Sequence, residues 1–204
     1  MLCIKKSLSS TLVHIGKEAE CIFAKINVPG KPPILLGCAY RTPNLPIEQC
    51  KILCGEISEV KNKYPKSHFW LAGDFNLPDI DWNSLEISNS PQYSRSMSEL
   101  FTTLALDLGV EQVVKDPTRE GSILDLFFTN NRGAVSKSSV VAGVSDHHAA
   151  LIESKLSVRH QKPQRRTILQ WNKADMSKMK QDAKNFSSLF LATHKNSDVH
   201  SMWP

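Results

Sequence analysis

Apolar and polar positions along the chain fall into short alternating stretches and two longer helical ones. Cys21 to Val28 and Ile34 to Tyr40 read as strands, and Pro29-Gly30-Lys31-Pro32-Pro33 between them is a firm turn, so the pair predicts a hairpin. Beyond Pro43 and Pro46, the spacing of Ile47, Cys50, Leu53, Cys54, Ile57 and Val60 predicts an amphipathic helix over 47–63, ended by Pro65. His68 to Ala72 has the length and aromatic content of a buried strand. Residues 77–92, rich in Pro, Asp, Asn and Ser, predict an irregular loop. A second helix is expected from Arg95 to Asp107, with Met97, Leu100, Phe101, Leu104 and Leu108 on one face and Gly109 as its stop. Further strands are predicted at Val110–Val114, Ile123–Phe128, Val135–Val141 and Ala149–Leu156. Strands outnumber helices and interleave with them, which argues a layered α/β domain over residues 1–156. Ser157 to Arg166 has the composition of a linker, and Lys173 to Leu191 predicts a loose helix without a sheet to cover it.

Composition narrows the class. A chain of 204 residues, 41% hydrophobic, can bury one substantial core, or one domain plus a tail. No run of eighteen apolar residues is present, so no membrane partner is expected, and the opening MLCIKKSLSS lacks the pattern of a signal peptide. Five cysteines are an odd number, and Cys50 and Cys54 read as small apolar residues of a helix. A reducing, nuclear or cytoplasmic location is the expectation. The net charge of +5 is unevenly placed: residues 1–156 hold 16 Lys and Arg against 17 Asp and Glu, residues 157–204 hold 9 against 3. The basic excess thus lies in the tail, where it suits either nucleic acid or a solvated linker.

Three short motifs carry chemistry. In Leu71-Ala72-Gly73-Asp74-Phe75-Asn76, an acid and an amide two apart at a strand end would project to the same side, a pair suited to a divalent cation, a phosphate and an attacking water. An ordinary Asp/Asn turn is the competing reading. Asp125, flanked by apolar residues in Ser122-Ile123-Leu124-Asp125-Leu126, needs a partner if buried; a histidine N–H would give a pair that fixes the tautomer. It could instead face solvent by alternation. Ser145-Asp146-His147-His148 supplies such histidines in a loop before a strand, where purely structural histidines are also common.

Taken in order, Tyr40-Arg41-Thr42-Pro43-Asn44, Gly73-Asp74-Phe75-Asn76, Ser122 to Leu126 and Ser145-Asp146-His147-His148 form a series. It resembles the endonuclease/exonuclease/phosphatase superfamily, and more narrowly the endonuclease domain of non-LTR (LINE-type, Jockey-like) retrotransposons, over roughly residues 1–156. The resemblance implies a partial four-layer α/β/β/α sandwich of two mostly antiparallel sheets, missing its first strands. It implies that His147 acts at the scissile phosphate, that Asp125 orients it, that Asp74 activates water, and that Asn76 and Tyr40 lie at the phosphate. Asn44 (displaced by one residue from the family's spacing) and Arg41 join Asn76 as substrate-binding residues, and Asp146 is a metal- or water-associated acid. DNA as substrate, Mg²⁺ as cofactor and a reverse transcriptase domain in the parent polyprotein are likewise implied.

The family's opening asparagine and its principal metal-ligand glutamate have no counterpart here; Glu18 and Glu20 sit in what reads as a later loop. The expectation is therefore an N-terminally truncated domain, marginally stable, whose Mg²⁺-dependent phosphodiester hydrolysis is weak or absent. A non-enzymatic retroelement remnant with a nucleic-acid-binding tail is the alternative. A sugar or lipid phosphatase, sharing the same catalytic residues, is a third reading.

Overall fold

The structure is a computed structural model that describes residues 1–89, 94–143, 145–156 and 173–194. It divides into two compact units, Met1–Lys162 and Pro163–Pro204.

In the first unit, β1 (Ser10–Ile15), β2 (Cys21–Ile26) and β3 (Ile34–Tyr40) form an antiparallel meander. Helix α1 (Ile47–Lys63) then crosses over to β4 (His68–Asp74), which lies parallel to β3. A parallel neighbour requires such a crossover, and the amphipathic 47–63 segment supplies it. A small hairpin, β5 (Ile80–Asp81) and β6 (Glu86–Ile87), follows, and then α2 (Arg95–Leu108). Strand β7 (Glu111–Gln112) and β8 (Asp125–Thr129) complete a six-stranded sheet of order β1-β2-β3-β4-β8-β7. A second sheet pairs β9 (Val135–Val141) with β10 (Ala149–Ser154).

Alternation along the central strands sets the layers. Phe69, Leu71, Leu126 and Phe128 turn to the helical side, where they meet Leu53 and Ile57 of α1 and Phe101 and Ala105 of α2. Trp70, Ala72 and Phe127 turn the other way, packing with Val113, Val114 and, from the second sheet, Val140 and Ile152. This is the mixed α/β fold of two mostly antiparallel sheets that the sequence predicts. Cys50 and Cys54 are buried in α1, free of disulfides, and burial pushes the Cys54 thiol up to about 12. Gly109 ends α2 with a left-handed φ of 59°.

The structure departs from the sequence reading in five places. Strand β1 has no counterpart among the predicted elements, because most of its side chains are exposed and an edge strand needs no apolar alternation. The 77–92 segment, expected to be irregular, contains the β5–β6 hairpin. The strand expected over 110–114 shortens to Glu111–Gln112, and the one expected over 123–128 begins only at Asp125. In the second unit α3 (Met176–His194) lies about one turn further along the chain than the predicted helix, and none of its side chains is buried. The linker expected at 157–166 lies outside the described residues. No helix among them is long and apolar enough to cross a membrane.

Candidate active site

Three neighbouring strands bring their site residues into line. Tyr40 at the end of β3 pairs in register with Asp74 at the end of β4, and Asp74 pairs with Asp125 at the start of β8. Residues opposite one another in a sheet share a face, so the phenol and both carboxyls gather at one sheet edge. Gly73 makes that alignment possible: a Cβ there would stand 1.9 Å from the Ala39 carbonyl oxygen of the adjacent strand.

The loop before β10 brings a histidine to the same edge. His147 Nδ1 lies 2.8 Å from Asp125 Oδ2, with both side chains about a quarter exposed (23% and 28%). A carboxylate at Nδ1 makes that nitrogen the donor and leaves Nε2 as the reactive one. Gly143 gives the loop its room, since a Cβ there would meet the His147 carbonyl oxygen at 1.9 Å. Donor atoms of Asp74, Asp125 and His147 all lie within 4.8 Å of one another.

Burial pushes the Asp74 carboxyl above its ordinary value, and the Asp125 carboxylate adds to the rise. His147 and hydrogen bonds from Asn76 pull the other way without cancelling it. An acid raised in the fold stabilises the native state fully below its unfolded pKa, and that stability is lost as pH climbs through the folded pKa. Asp74→Asn, which keeps an oxygen for the Asn76 N–H, is thus expected to raise the melting temperature at neutral pH. The gain should vanish below the ordinary aspartate range. Thermal melts from pH 3 to 8 check this; an equal gain at every pH would contradict it.

Asn76 meets Asp74 by a different route from the one the sequence suggests. Strand β4 ends at Asp74, and Asn76 lies beyond it in the left-handed region (φ 51°), so strand alternation does not apply. Its N–H reaches Asp74 Oδ1 at 3.2 Å, while its side-chain Nδ2 donates to the Arg41 carbonyl at 2.8 Å. Asn76 is 4% exposed, an internal brace as much as a ligand for phosphate.

Arg41 requires a correction. Expected among the substrate contacts, it is 1% exposed, and its guanidinium donates to the carbonyls of Phe75 (3.0 Å), Asn76 (3.0 Å) and Pro43 (3.2 Å). It holds the Asp74–Asn76 turn from behind. Asp146, expected as a metal- or water-associated acid, is 62% exposed and pairs with Arg119 Nη2 at 2.8 Å, beside the Asp74–Asp125–His147 cluster rather than in it. Tyr40, opposite Asp74 at the end of β3, is 40% exposed. Asn44 is exposed in a turn closed by the Leu45 N–H on the Thr42 carbonyl, and no bond joins it to the cluster among the described residues.

Sequence reasoning missed Thr118. It is fully buried; its Oγ1 accepts from the N–H groups of Leu124 (3.0 Å) and Asp125 (3.1 Å), and its carbonyl accepts from His148 (2.7 Å). One threonine therefore fixes both the start of β8 and the histidine loop. The available signal was Glu120-Gly121: both have positive φ (45° and 81°), the mark of a tight turn that folds Thr118 back beside Leu124. Thr118→Val keeps the shape but orphans two amides, and should cost about 2–3 kcal/mol in urea denaturation. Thr118→Ser should recover most of it; a valine variant as stable as wild type would contradict this bracing role.

An α/β scaffold that sets a carboxylate–histidine pair beside a second carboxylate at its strand ends has the parts of a hydrolase site. The family model described as endonuclease-reverse transcriptase, of the endonuclease/exonuclease/phosphatase group, matches residues 34–151. That is more than half of the chain, and the chain belongs to this family. No curated protein matches it in sequence. Among solved structures, the endonuclease domain of TRAS1, a telomere-specific non-LTR retrotransposon, is similar with a TM-score of 0.59 at 18% identity, covering 74% of this chain and 71% of that one. The 3′ phosphatase NExo from Neisseria, bound to a product DNA hairpin, gives 0.50 at 14% identity over 74% and 72%. At such identities the likeness is one of fold.

Proposed function

We propose that this chain hydrolyses phosphodiester bonds of DNA, as the nicking endonuclease of a retrotransposon, with Mg²⁺ as its natural cofactor and a reverse transcriptase domain as its partner in the parent polyprotein. The observation that carries the reading is the 2.8 Å Asp125–His147 contact with Asp74 in the same cluster. Asp125 holds the imidazole so that Nε2 meets the phosphate, where the ring in its doubly protonated form donates the Nε2 proton to a phosphoryl oxygen or stabilises the charge that develops there. Asp74, with its carboxyl held above the usual range, takes the proton of the attacking water. Asn76 fixes Asp74 through its N–H, and Tyr40 borders the phosphate on the open side. Arg41 acts as a positioning residue, Asn44 as an outer contact to substrate, and Asp146, through Arg119, as a holder of the loop that carries His147.

The carboxylate oxygens of Asp74 and Asp125 fit a hard divalent cation, which would supply charge stabilisation at the leaving oxygen. Two carboxylates are few for an ion that takes near-octahedral oxygen coordination, and hydrolysis by this chain is accordingly slow. The basic 157–204 tail adds nonspecific affinity for nucleic acid. Supercoiled plasmid at high protein concentration, with and without millimolar Mg²⁺ or Mn²⁺, tests the reading: nicked circles are expected only with the ion. Phosphate release from a phosphomonoester, with intact plasmid, would overturn it in favour of a phosphatase.

A further inference from the structure

A second cluster of metal-binding side chains lies outside the hydrolytic site. His14 of β1, Cys21 of β2 and Glu56 of α1 place their donor atoms within 4.8 Å of one another. His14 Nε2 lies 2.7 Å from Glu56 Oε2, and the Cys21 thiol donates to the same oxygen at 3.6 Å. The other oxygen, Oε1, accepts the N–H groups of Lys17 (3.2 Å) and Glu18 (3.3 Å), which fixes the carboxylate plane. The group is well screened from water: Cys21 is 6% exposed, and the His14 and Glu56 side chains 19% and 13%.

We propose that His14, Cys21 and Glu56 form a binding site for a zinc-class cation, which clasps the edge strand β1 and its neighbour β2 to helix α1. The donor set is one imidazole, one thiol and one carboxylate, the mixture that zinc takes and magnesium does not. The spacing fits as well. Tetrahedral zinc with bonds of about 2.3 Å to sulfur and 2.0–2.1 Å to nitrogen and oxygen sets sulfur and oxygen roughly 3.6 Å apart, and nitrogen and oxygen roughly 3.3 Å apart. The sulfur–oxygen separation is already 3.6 Å, and the His14–Glu56 contact has to open by about 0.6 Å. In the metal-free state two hydrogen atoms, on Nε2 and on Sγ, point at Oε2. On binding, the thiol proton leaves to solvent, the neutral imidazole carries its single proton on Nδ1, and a water fills the fourth position.

The two N–H bonds to Oε1 are the outer contacts that orient a ligating carboxylate. The location gives the clasp its purpose. β1 is an edge strand with Leu12 55% and Ile15 60% exposed, tied to the fold by its hydrogen bonds to β2, by Val13 against the core and by the His14 ring against Phe23. A metal joining three elements would hold that edge in place.

Cobalt(II) as a spectroscopic probe tests the site on the full chain under reducing conditions. One equivalent should produce a near-ultraviolet sulfur-to-cobalt charge-transfer band, bleached by zinc and untouched by magnesium. Zinc should also raise the melting temperature. Cys21→Ser, a small change at a buried position, should abolish the band and weaken zinc binding at least about tenfold, while Cys3→Ser at the exposed cysteine leaves both intact. No band with wild-type protein, or a band that survives Cys21→Ser, would overturn the proposal. The readout is sulfur ligation and stability, so it stands apart from whether the chain cleaves DNA.

Discussion

Arg41→Met is expected to destabilise the fold by about 3–5 kcal/mol, a larger loss than that expected for Thr118→Val. The guanidinium, 1% exposed, is the shared donor for the carbonyls of Phe75, Asn76 and Pro43. Buried acceptors left without a donor lose about 1–3 kcal/mol each, and the relief of no longer burying a cation offsets only part of the total. Loss of the guanidinium also loosens the turn that carries Asp74, because it removes the donor to the Asn76 carbonyl, while the Asn76 amide keeps its bond to the main-chain carbonyl of residue 41. Arg41→Lys should recover only a fraction, since a single ammonium cannot span three carbonyls that a planar fork reaches. Urea denaturation of the three proteins checks the order wild type, lysine, methionine. A methionine variant within about 1 kcal/mol of wild type would show that these carbonyls find other donors.

Asp125→Asn is the second large effect, and it acts on chemistry with little change in stability. The amide can still occupy the site beside His147, but it presents either a donor or a neutral acceptor where a carboxylate stood 2.8 Å from Nδ1. The imidazole then loses the charge that fixes its tautomer, and phosphodiester cleavage should fall by about 10²–10⁴-fold. The same change removes the charge that helps raise the Asp74 carboxyl, so the residual activity should persist to lower pH. Single-turnover rates between pH 5 and 9 measure both. An unchanged rate would remove the Asp125–His147 pair from the chemistry.

Much of this arrangement is legible in the residues themselves. The faces of α1 and α2 follow from their three- and four-residue spacing, the stop at Gly109 from its freedom at positive φ, and the need for a partner at Asp125 from its apolar flanks. What the sequence hides is decided by long-range closure. Arg41 has the composition of a phosphate ligand, yet the carbonyls that claim it lie 34 and 35 residues away. Asn76 reads either as continuing the strand or as part of an Asp/Asn turn, and its left-handed φ with its N–H on Asp74 Oδ1 is that of the turn. That Asp146 pairs with Arg119, from a separate turn, is equally hidden in the sequence. Thr118 carries no periodic signal at all; its importance comes from three amides that converge on it. β1 escapes notice because an exposed edge strand leaves little hydrophobic pattern.

If Asp74, Asp125 and His147 together cleave phosphodiester bonds, removing the imidazole must silence the site. Metal-dependent nicking of supercoiled plasmid by the wild-type chain against His147→Ala, each purified identically and shown to be folded, asks this most directly. Slow conversion to open circles is expected of wild type, lost by at least about 10²-fold in the alanine variant. Equal nicking by the two proteins would contradict a role for this cluster in the chemistry.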